Sequence, residues 1–294
     1  MNGPPAAVRA SVEHNLAGVH GGSCTIVDVK RVGGGCISPS ARIRLDDGPL
    51  YFLKWDDGSA PDGLFAAEAR GLADLRRSGV IRVPEVVVCS DSWLLLEWLE
   101  PAPAGGQTWR RLGRELAAMH RQLAAAFGSD ADNFIGSLPQ SNEPTRRWAD
   151  FWRDHRLVPQ LTRAANAFGR RDRDRFDRFI RNLDELLGAG DDDGPSLLHG
   201  DLWNGNVHVT EEGRAALVDP SVYHGHREVD LAMAALFGGF GRGFFEEYTA
   251  EWPLAPGWME RRAAYQLYYL LVHVNLFGAG YVSSSLEALR SAGG

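Results

Sequence analysis

Two carboxylates and one carboxamide in the centre of the chain have spacings that suit phosphoryl transfer. Asn206 lies five residues after Asp201, and Asp219 lies thirteen residues after Asn206. One carboxylate can orient an attacking hydroxyl group and accept its proton, while an amide oxygen and a second carboxylate can hold magnesium ions on nucleotide phosphates. A polar turn rich in Asp, Asn and Gly is the alternative without chemistry.

The order of these groups matches the catalytic set of protein kinases. There an aspartate and an asparagine five residues apart, in H-R-D-x-x-x-x-N, precede a magnesium-binding aspartate in D-F-G. Here residues 199–206 have the sequence HGDLWNGN. Such a set also needs a cation for the nucleotide phosphates and a fold that brings distant segments together.

Lysine is rare in this chain, which makes Lys54 the best candidate for that cation. Of the 31 Lys and Arg residues only Lys30 and Lys54 are lysine. A compact ammonium group on phosphates is a place where the planar guanidinium of arginine fits poorly, so a retained lysine favours this role. Neither lysine lies in a G-K-[ST] sequence, which excludes a Walker A loop. A lysine on an edge strand, without function, is the alternative.

Short runs rich in β-branched and aromatic residues predict an antiparallel sheet before residue 100. These predicted strands cover residues 23–32, 41–45, 49–55, 84–89 and 93–98. Apolar residues at helical spacing predict one helix over residues 62–78. Lys54 then lies near the end of the third strand, and Glu68 on the helix can pair with its ammonium group. A solvated helix face is the alternative for Glu68.

The glycines between the first two strands are a second candidate contact to a nucleotide. Gly34 and Gly35 can let backbone N–H groups approach phosphates, although an ordinary turn has the same composition. Cys36 follows them, either as a thiol for redox control or as a small buried residue. Glu97 and Leu99 end the fifth strand, where backbone groups meet adenine in kinase-like folds.

The sequence PAPAGG at residues 101–106 predicts a linker, and so two lobes at 1–100 and 101–294. The pattern after it is helical, over residues 107–126, 144–168, 172–188, 228–251 and 258–278. Two short strands near residues 207–209 and 215–218 flank the catalytic motif. These elements predict an α+β, two-lobed, protein-kinase-like fold. The small N-terminal lobe would bind the nucleotide, and the larger helical lobe would carry the catalytic and substrate residues.

Bulk properties exclude several classes of protein. The net charge of −7 argues against a nucleic-acid partner. Cys24, Cys36 and Cys89 lack the spacing of a zinc site or a disulfide framework and predict reduced thiols in a cytoplasmic protein. Residues 1–12 lack the apolar core of a signal peptide. The apolar stretch 265–282 contains polar residues and predicts a buried helix rather than a membrane span.

Several longer segments resemble the fructosamine kinase (ketosamine-3-kinase) family, in the aminoglycoside phosphotransferase-like branch of the kinase fold. The matching segments are LHGDLWNGN (198–206), DPS (219–221), YHGHREVDL (223–231), LFGGF (236–240), DNFIGSLPQ (132–140), PQL (159–161) and GGGCI (33–37). The resemblance runs from about residue 30 to residue 282. It implies ATP-dependent phosphorylation of the C3 hydroxyl of a ketosamine, free or protein-bound. The 3-phosphate products of the family are unstable and undergo an elimination that releases the amine. The resemblance therefore implies repair of glycated amines.

The resemblance assigns a role to each candidate residue. Asp201 is expected to be the catalytic base, with Asn206 and Asp219 as magnesium ligands. Lys54, held by Glu68, is expected to contact the phosphates of ATP. The remaining expected contacts are Gly34, Gly35, Glu97 and Leu99 for the nucleotide, and Trp203, Asn133, Phe134 and His273 for the acceptor.

Two rival functions stay open from the sequence. One is the same chemistry on an aminoglycoside or another small alcohol, because the acceptor pocket cannot be read from residue order. The other is a nucleotide-binding pseudokinase, which the intact set Lys54, Asp201, Asn206 and Asp219 argues against. The chain departs from the family pattern after the glycines, where Pro39 removes a backbone donor at the start of the second strand.

Overall fold

A computed structural model describes residues 3–33, 38–46, 48–188 and 190–294 of the chain. The expected phosphate contacts at Gly34 and Gly35, and the thiol of Cys36, lie outside the described residues. Their roles therefore stay predictions.

The residues before position 100 form a five-stranded antiparallel sheet and two helices. In chain order the elements are α1 (Ala6–His20), β1 (Ile26–Arg31), β2 (Ser40–Leu45), β3 (Leu50–Trp55), α2 (Leu64–Ser78), β4 (Val86–Cys89) and β5 (Trp93–Glu97). The strands are ordered β1-β2-β3-β5-β4. Lys54 in β3 is paired with Ser40 on one side and Leu94 on the other, so it lies in the middle of the sheet. The edge-strand alternative for Lys54 is therefore wrong.

The helix α1 was not predicted, and the expectation of a single helix in this region was incomplete. Its only fully buried residues are Val12 and Leu16, so its apolar face is too narrow to stand out in the sequence. These two side chains pack in a cluster with Ile43, Leu53 and other residues from one face of the sheet. The Oε1 atom of Glu13 also accepts a hydrogen bond from the backbone N–H of Ile26 at 2.8 Å.

The residues after position 100 are mainly helical. Their helices are α3 (Gly106–His120), α4 (Trp148–Trp152), α5 (Val158–Arg163), α6 (Arg170–Arg181), α7 (Leu183–Leu187), α8 (Gly190–Asp193), α9 (Glu228–Leu236), α10 (Arg242–Glu251), α11 (Trp258–Phe277) and α12 (Val282–Ser291). The strands are β6 (Asn133–Ile135), β7 (Leu138–Gln140), β8 (Ser196–Leu198), β9 (Val207–Val209), β10 (Ala215–Leu217) and β11 (Tyr223–Gly225). A π-helical turn (Arg153–Leu157) joins α4 to α5. The strand pair β9–β10 flanks the catalytic motif as expected.

Several predicted helix boundaries were wrong. The helix predicted over residues 228–251 is two helices, because Gly238 and Gly239 between them have φ values of 68° and 87°. The helix predicted over residues 144–168 is interrupted by the π-helical turn. The hairpin β6–β7, the pair β8–β11 and the helix α12 were not predicted at all.

The helix α11 forms the centre of the helical part, as the apolar stretch near residue 265 predicted. Its buried residues include Tyr265, Tyr268, Tyr269 and Leu271. No helix among the described residues combines the length and the apolarity that crossing a bilayer requires. A second cluster joins Leu94 and Leu96 of the sheet to Leu112 of α3 and Leu217 of β10, so the two parts share a core. A division at residue 100 stays a prediction.

The close packing of α3 on α10 gives a test of the fold. A Cβ atom at Gly113 would lie 2.2 Å from the carbonyl oxygen of Phe244, whereas one at Gly18 in α1 would meet no atom within 4 Å. Gly113→Ala is expected to lower the free energy of unfolding by roughly 1–3 kcal/mol through overpacking. Gly18→Ala is the control and should raise it by about 0.5–1 kcal/mol. Urea denaturation measures both, and a Gly113→Ala protein as stable as the wild type would contradict this packing.

Candidate active site

The loop between β8 and β9 holds Asp201 beside Asn206. The Asn206 Nδ2 atom donates hydrogen bonds to the backbone oxygen of Asp201 at 2.9 Å and to its Oδ2 atom at 3.1 Å. These bonds fix the orientation of the Asn206 carboxamide. No donor among the described residues reaches the Asn206 Oδ1 atom, which therefore stays available to a cation.

The third group, Asp219, follows β10 in an unusual backbone conformation. Its φ of 55° makes it the one non-glycine residue with positive φ in the described part of the chain. Left-handed backbone costs free energy for such a residue and is found mainly at functional sites. The Asp219 Oδ1 atom lies 2.6 Å from the Lys54 Nζ atom. In this conformation the carboxylate therefore contacts the lysine of β3.

The Lys54 ammonium group lies between two carboxylates. Its second partner is Glu68 of α2, whose Oε1 atom is 2.7 Å from Nζ. Burial alone would lower the pKa of Lys54, but the charges of Asp219 and Glu68 outweigh it and raise that pKa. The ammonium group is therefore charged at all physiological pH values. The solvated-face alternative for Glu68 does not hold, since its side chain is 13% exposed.

The carboxyl group of Asp201 has a pKa suited to proton transfer. This pKa is raised to about 7: burial raises it most, the hydrogen bond from Asn206 lowers it, and the charges of Asp219 and Asp230 raise it. A base is most effective when its pKa lies near the working pH. Asp201 can therefore take a proton from a hydroxyl group at neutral pH.

Asp230 of α9 holds the backbone of the catalytic loop. Its carboxylate accepts hydrogen bonds from the backbone N–H groups of His199 at 2.8 Å and Gly200 at 2.9 Å. The His199 ring adds two backbone contacts, donating from Nε2 to Val218 O at 2.9 Å and accepting at Nδ1 from the Asp201 N–H at 3.2 Å. Both ring nitrogens are thus occupied by backbone, and His199 positions the loop rather than transferring protons.

Gly200 is required at its position by two constraints. Its φ is 82°, and a Cβ atom there would lie 2.1 Å from the carbonyl oxygen of Ser221. The Tyr269 hydroxyl donates to the Gly200 carbonyl oxygen at 2.8 Å. The catalytic loop is therefore pressed between α11 and the segment that follows Asp219.

A cavity of about 450 Å³ opens directly over these groups. Among its lining residues are the predicted Lys54, Glu68, Asp201, Asn206, Asp219, Trp203, Asn133, Phe134 and His273. The structure thus brings these residues to one place, although it does not test the role of each. The prediction that Glu97 and Leu99 contact the nucleotide also stays untested, and neither residue lines this cavity.

The outer wall of the cavity is aromatic, and most of it was missed in the sequence. Phe237, Tyr269, Phe277 and Tyr281 line the cavity beside His273. The His273 ring lies 5.0 Å from the Phe237 ring and 4.9 Å from the Tyr281 ring, centroid to centroid. Tyr269, His273 and Phe277 recur every four residues in α11, which was the available signal for one helix face.

His273 is a neutral member of this wall. Burial lowers its pKa, and the hydrogen bond from its ring to Tyr269 O raises the pKa only in part. The Nδ1 atom lies 2.7 Å from that carbonyl oxygen and must be the protonated nitrogen. The Nε2 atom is then a hydrogen-bond acceptor.

The donor atoms at the site fit a magnesium ion that is shared with a nucleotide. Asn206 and Asp219 offer hard oxygen ligands, the kind that magnesium prefers. No group of three or more His, Cys, Asp or Glu side chains able to hold a metal by itself occurs in the residues described. Magnesium usually takes one or two protein ligands and completes its shell with phosphates and water.

The buried His120, which contacts Asp230, predicts a pH dependence of stability. Burial lowers the pKa of His120, while the bond to Asp230 raises it in part. The unfolded chain therefore binds a proton near pH 6.5 that the folded chain excludes, and stability falls as pH drops below that value. His120→Gln should be less stable at pH 8 but should lose stability less steeply from pH 7 to 5, by up to about 1.4 kcal/mol per pH unit.

Chemical denaturation at several pH values measures this slope. The exposed His14 of α1 supplies the control, since His14→Gln is expected to leave the slope unchanged. Parallel slopes for the wild type and His120→Gln would show that His120 takes up no proton on unfolding.

Comparisons with known proteins agree with this geometry. Residues 8–292 match the family model described as fructosamine kinase. A probable ketoamine kinase from Synechocystis is 38% identical over 90% of each chain. A chloroplastic protein-ribulosamine 3-kinase from Oryza sativa subsp. indica is 36% identical over 92% of this chain and 80% of its own.

A solved structure extends the likeness to the fold. A Thermobifida fusca protein named as a fructosamine-3-kinase is 39% identical, covers 96% of this chain and 98% of its own, and has a TM-score of 0.86. The expected protein-kinase-like α+β fold is thereby confirmed. The chain is a kinase, and it belongs to the fructosamine kinase family.

Proposed function

We propose that this protein transfers the γ-phosphoryl group of ATP to the 3-hydroxyl of a ketosamine. The observation that carries the proposal is the convergence of Lys54, Asp201, Asn206 and Asp219 on one cavity in a member of this family. The names of the similar proteins refer to fructosamine and ribulosamine substrates. Release of the amine from the unstable product makes repair of glycated amines the role.

Asp201 acts on the acceptor in this mechanism. Its carboxylate lines the cavity, accepts a hydrogen bond from the sugar hydroxyl and takes the proton as the oxygen attacks the γ-phosphorus in line. Its orientation is set in advance by Asn206, whose carboxamide is bonded to both its backbone and its side chain. Most of the rate enhancement then comes from positioning.

Lys54, Asn206 and Asp219 act on the nucleotide. The Lys54 ammonium group neutralises phosphate charge, and its ion pair with Glu68 would hold it in place if Asp219 were to bind a metal. Asn206 Oδ1 and Asp219 are the residues that would hold magnesium. A bound magnesium ion would supply positive charge to the β- and γ-phosphates.

The aromatic outer wall suits the amine end of a ketosamine. The secondary amine of such an adduct is protonated at neutral pH, and aromatic faces attract cations. Trp203 belongs to this wall, lines the cavity and makes an edge-to-face contact with Phe237 at 6.3 Å. Trp203 is therefore placed to contact the acceptor.

The first test is release of ADP from magnesium-ATP with fructoselysine or ribuloselysine, beside a panel of aminoglycosides. Asp201→Asn keeps the hydrogen bond to the acceptor but cannot take its proton, so kcat should fall by at least about 10²-fold. ATP binding, measured by calorimetry, should change little because Asp201 contacts the acceptor.

Each outcome of this test separates the alternatives. Turnover of ketosamines that is lost in Asp201→Asn supports the reaction and the base together. Turnover of aminoglycosides alone would support kinase activity but refute the proposed repair of glycated amines. Near-normal kcat in Asp201→Asn would show that another group takes the proton.

A further inference from the structure

Arg156, in the turn between α4 and α5, is buried and forms no ion pair in the described part of the chain. It has 0% exposure, and the turn is π-helical. Its guanidinium carbon lies 4.0 Å from the centroid of the Tyr223 ring and 4.6 Å from that of Phe151. Burying a cation in this way is costly, and π-helical turns are frequent at functional sites.

The Arg156 guanidinium donates to a chain of side-chain amides. The Nη2 atom of Arg156 donates to Asn142 Oδ1 at 2.7 Å, and its Nη1 atom donates to Ser141 O at 2.7 Å. Asn142 Nδ2 then donates to Asn133 Oδ1 at 3.0 Å and to Ala131 O at 3.1 Å. Asn133 is the last amide in this chain, and its side chain lines the catalytic cavity.

The direction of this chain is determined by its ends. Arginine has only donors, so Asn142 must turn its oxygen to Arg156 and its Nδ2 atom to Asn133. Gln140 Nε2 also donates to Asn133 Oδ1, at 2.8 Å, and the Tyr268 hydroxyl donates to Gln140 Oε1. Asn133 Oδ1 therefore accepts two hydrogen bonds from amide donors, and the Asn133 carboxamide cannot flip without breaking both.

The Nδ2 atom of Asn133 carries two hydrogens, and one of them is not used in these hydrogen bonds. The other hydrogen is donated to Val222 O at 2.8 Å. No second acceptor for Nδ2 occurs in the residues that the structure describes. Asn133 thus has a fixed amide with one N–H not used by these bonds, and it lines a cavity that Asp201 also lines.

We infer that Arg156 is a positioning residue for the acceptor, because it sets the orientation of Asn133 and makes Asn133 Nδ2 a fixed donor to an oxygen of the acceptor sugar. This inference rests on the proposed function for the identity of the acceptor. It gives the buried cation a role: Arg156 holds the oxygen side of Asn142, while backbone carbonyl oxygens hold the nitrogen sides of Asn142 and Asn133.

Isosteric variants separate orientation from packing. Asn142→Asp keeps the shape and gains an ion pair with Arg156, but its carboxylate cannot donate to Asn133 Oδ1. The KM for ketosamine should rise roughly tenfold, as expected for one lost hydrogen bond, while the KM for ATP stays constant. Arg156→Lys keeps a donor-only cation but loses the planar guanidinium that stacks on Tyr223, so its KM should rise less than that of Arg156→Met, which should behave like Asn142→Asp.

A purely structural role gives a different pattern. Asn142→Asp would then be harmless, since its new ion pair holds the loop, and Arg156→Lys would be as impaired as Arg156→Met. Either result overturns the inference. Thermal unfolding of each variant measures how much of the protein is folded in the assay. If the change in KM disappears once the rates are corrected for the folded fraction, the inference is also overturned.

An inactive wild type would refute the proposed function and leave the orientation testable by NMR. The Asn133 side-chain amide, identified by its absence in Asn133→Asp, is expected to have a proton in slow exchange with water because of Val222 O. Asn142→Asp should abolish that protection. Equal protection in the wild type and Asn142→Asp would overturn the inference by itself.

Discussion

The structure depends on one buried ammonium group between two carboxylates. Lys54 on β3, Glu68 on α2 and Asp219 after β10 meet within hydrogen-bond distance although Asp219 lies 165 residues after Lys54. Loss of one partner from a buried ion pair strongly destabilises the folded protein. Each of the three elements therefore constrains the position of the other two. The sheet, its helix and the helical part of the chain are thereby held in one arrangement.

Packing around this charge cluster enforces the same arrangement. A Cβ atom at Gly71 of α2 would lie 3.2 Å from Val222, so α2 lies directly against the segment after Asp219. Ser221 in that segment donates from its hydroxyl to Phe134 O at 2.6 Å, which fixes the hairpin β6–β7. The side of the cavity that carries Asp219 and the side that carries Asn133 therefore share a single short segment, residues 219–222.

The sequence predicted the positions of Lys54, Glu68, Asp201 and Asn206 better than it predicted the cavity around them. Asp201 and Asn206 lie on one short loop, so their spacing in the chain already determines their proximity. Lys54 and Glu68 were placed by the order of strand and helix. The hairpin that carries Asn133 was not predicted, since its strands are three residues long and have no hydrophobic alternation. The helix α1 was missed because only two of its residues are buried.

The aromatic wall could not be predicted for a different reason. Its members come from Phe237 after α9, from α11 and from Tyr281, and only the fold places them together. Rare lysines and motif spacing are local signals, whereas a cavity wall is a property of tertiary packing.

The balance of charge in the cavity links these observations to the chemistry. Glu68, Asp201 and Asp219 line it with Lys54 as the one cation among its lining residues. Burial raises the pKa of Asp201 most, and the charge of Asp219 adds to it. The excess of carboxylates would also disfavour an anionic ligand in an otherwise empty cavity. Under the proposed function, a nucleotide phosphate would therefore need further positive charge, which Asn206 Oδ1 and Asp219 would hold as a magnesium ion. Asp219 would then contribute both to the basicity of Asp201 and to the requirement for a divalent cation.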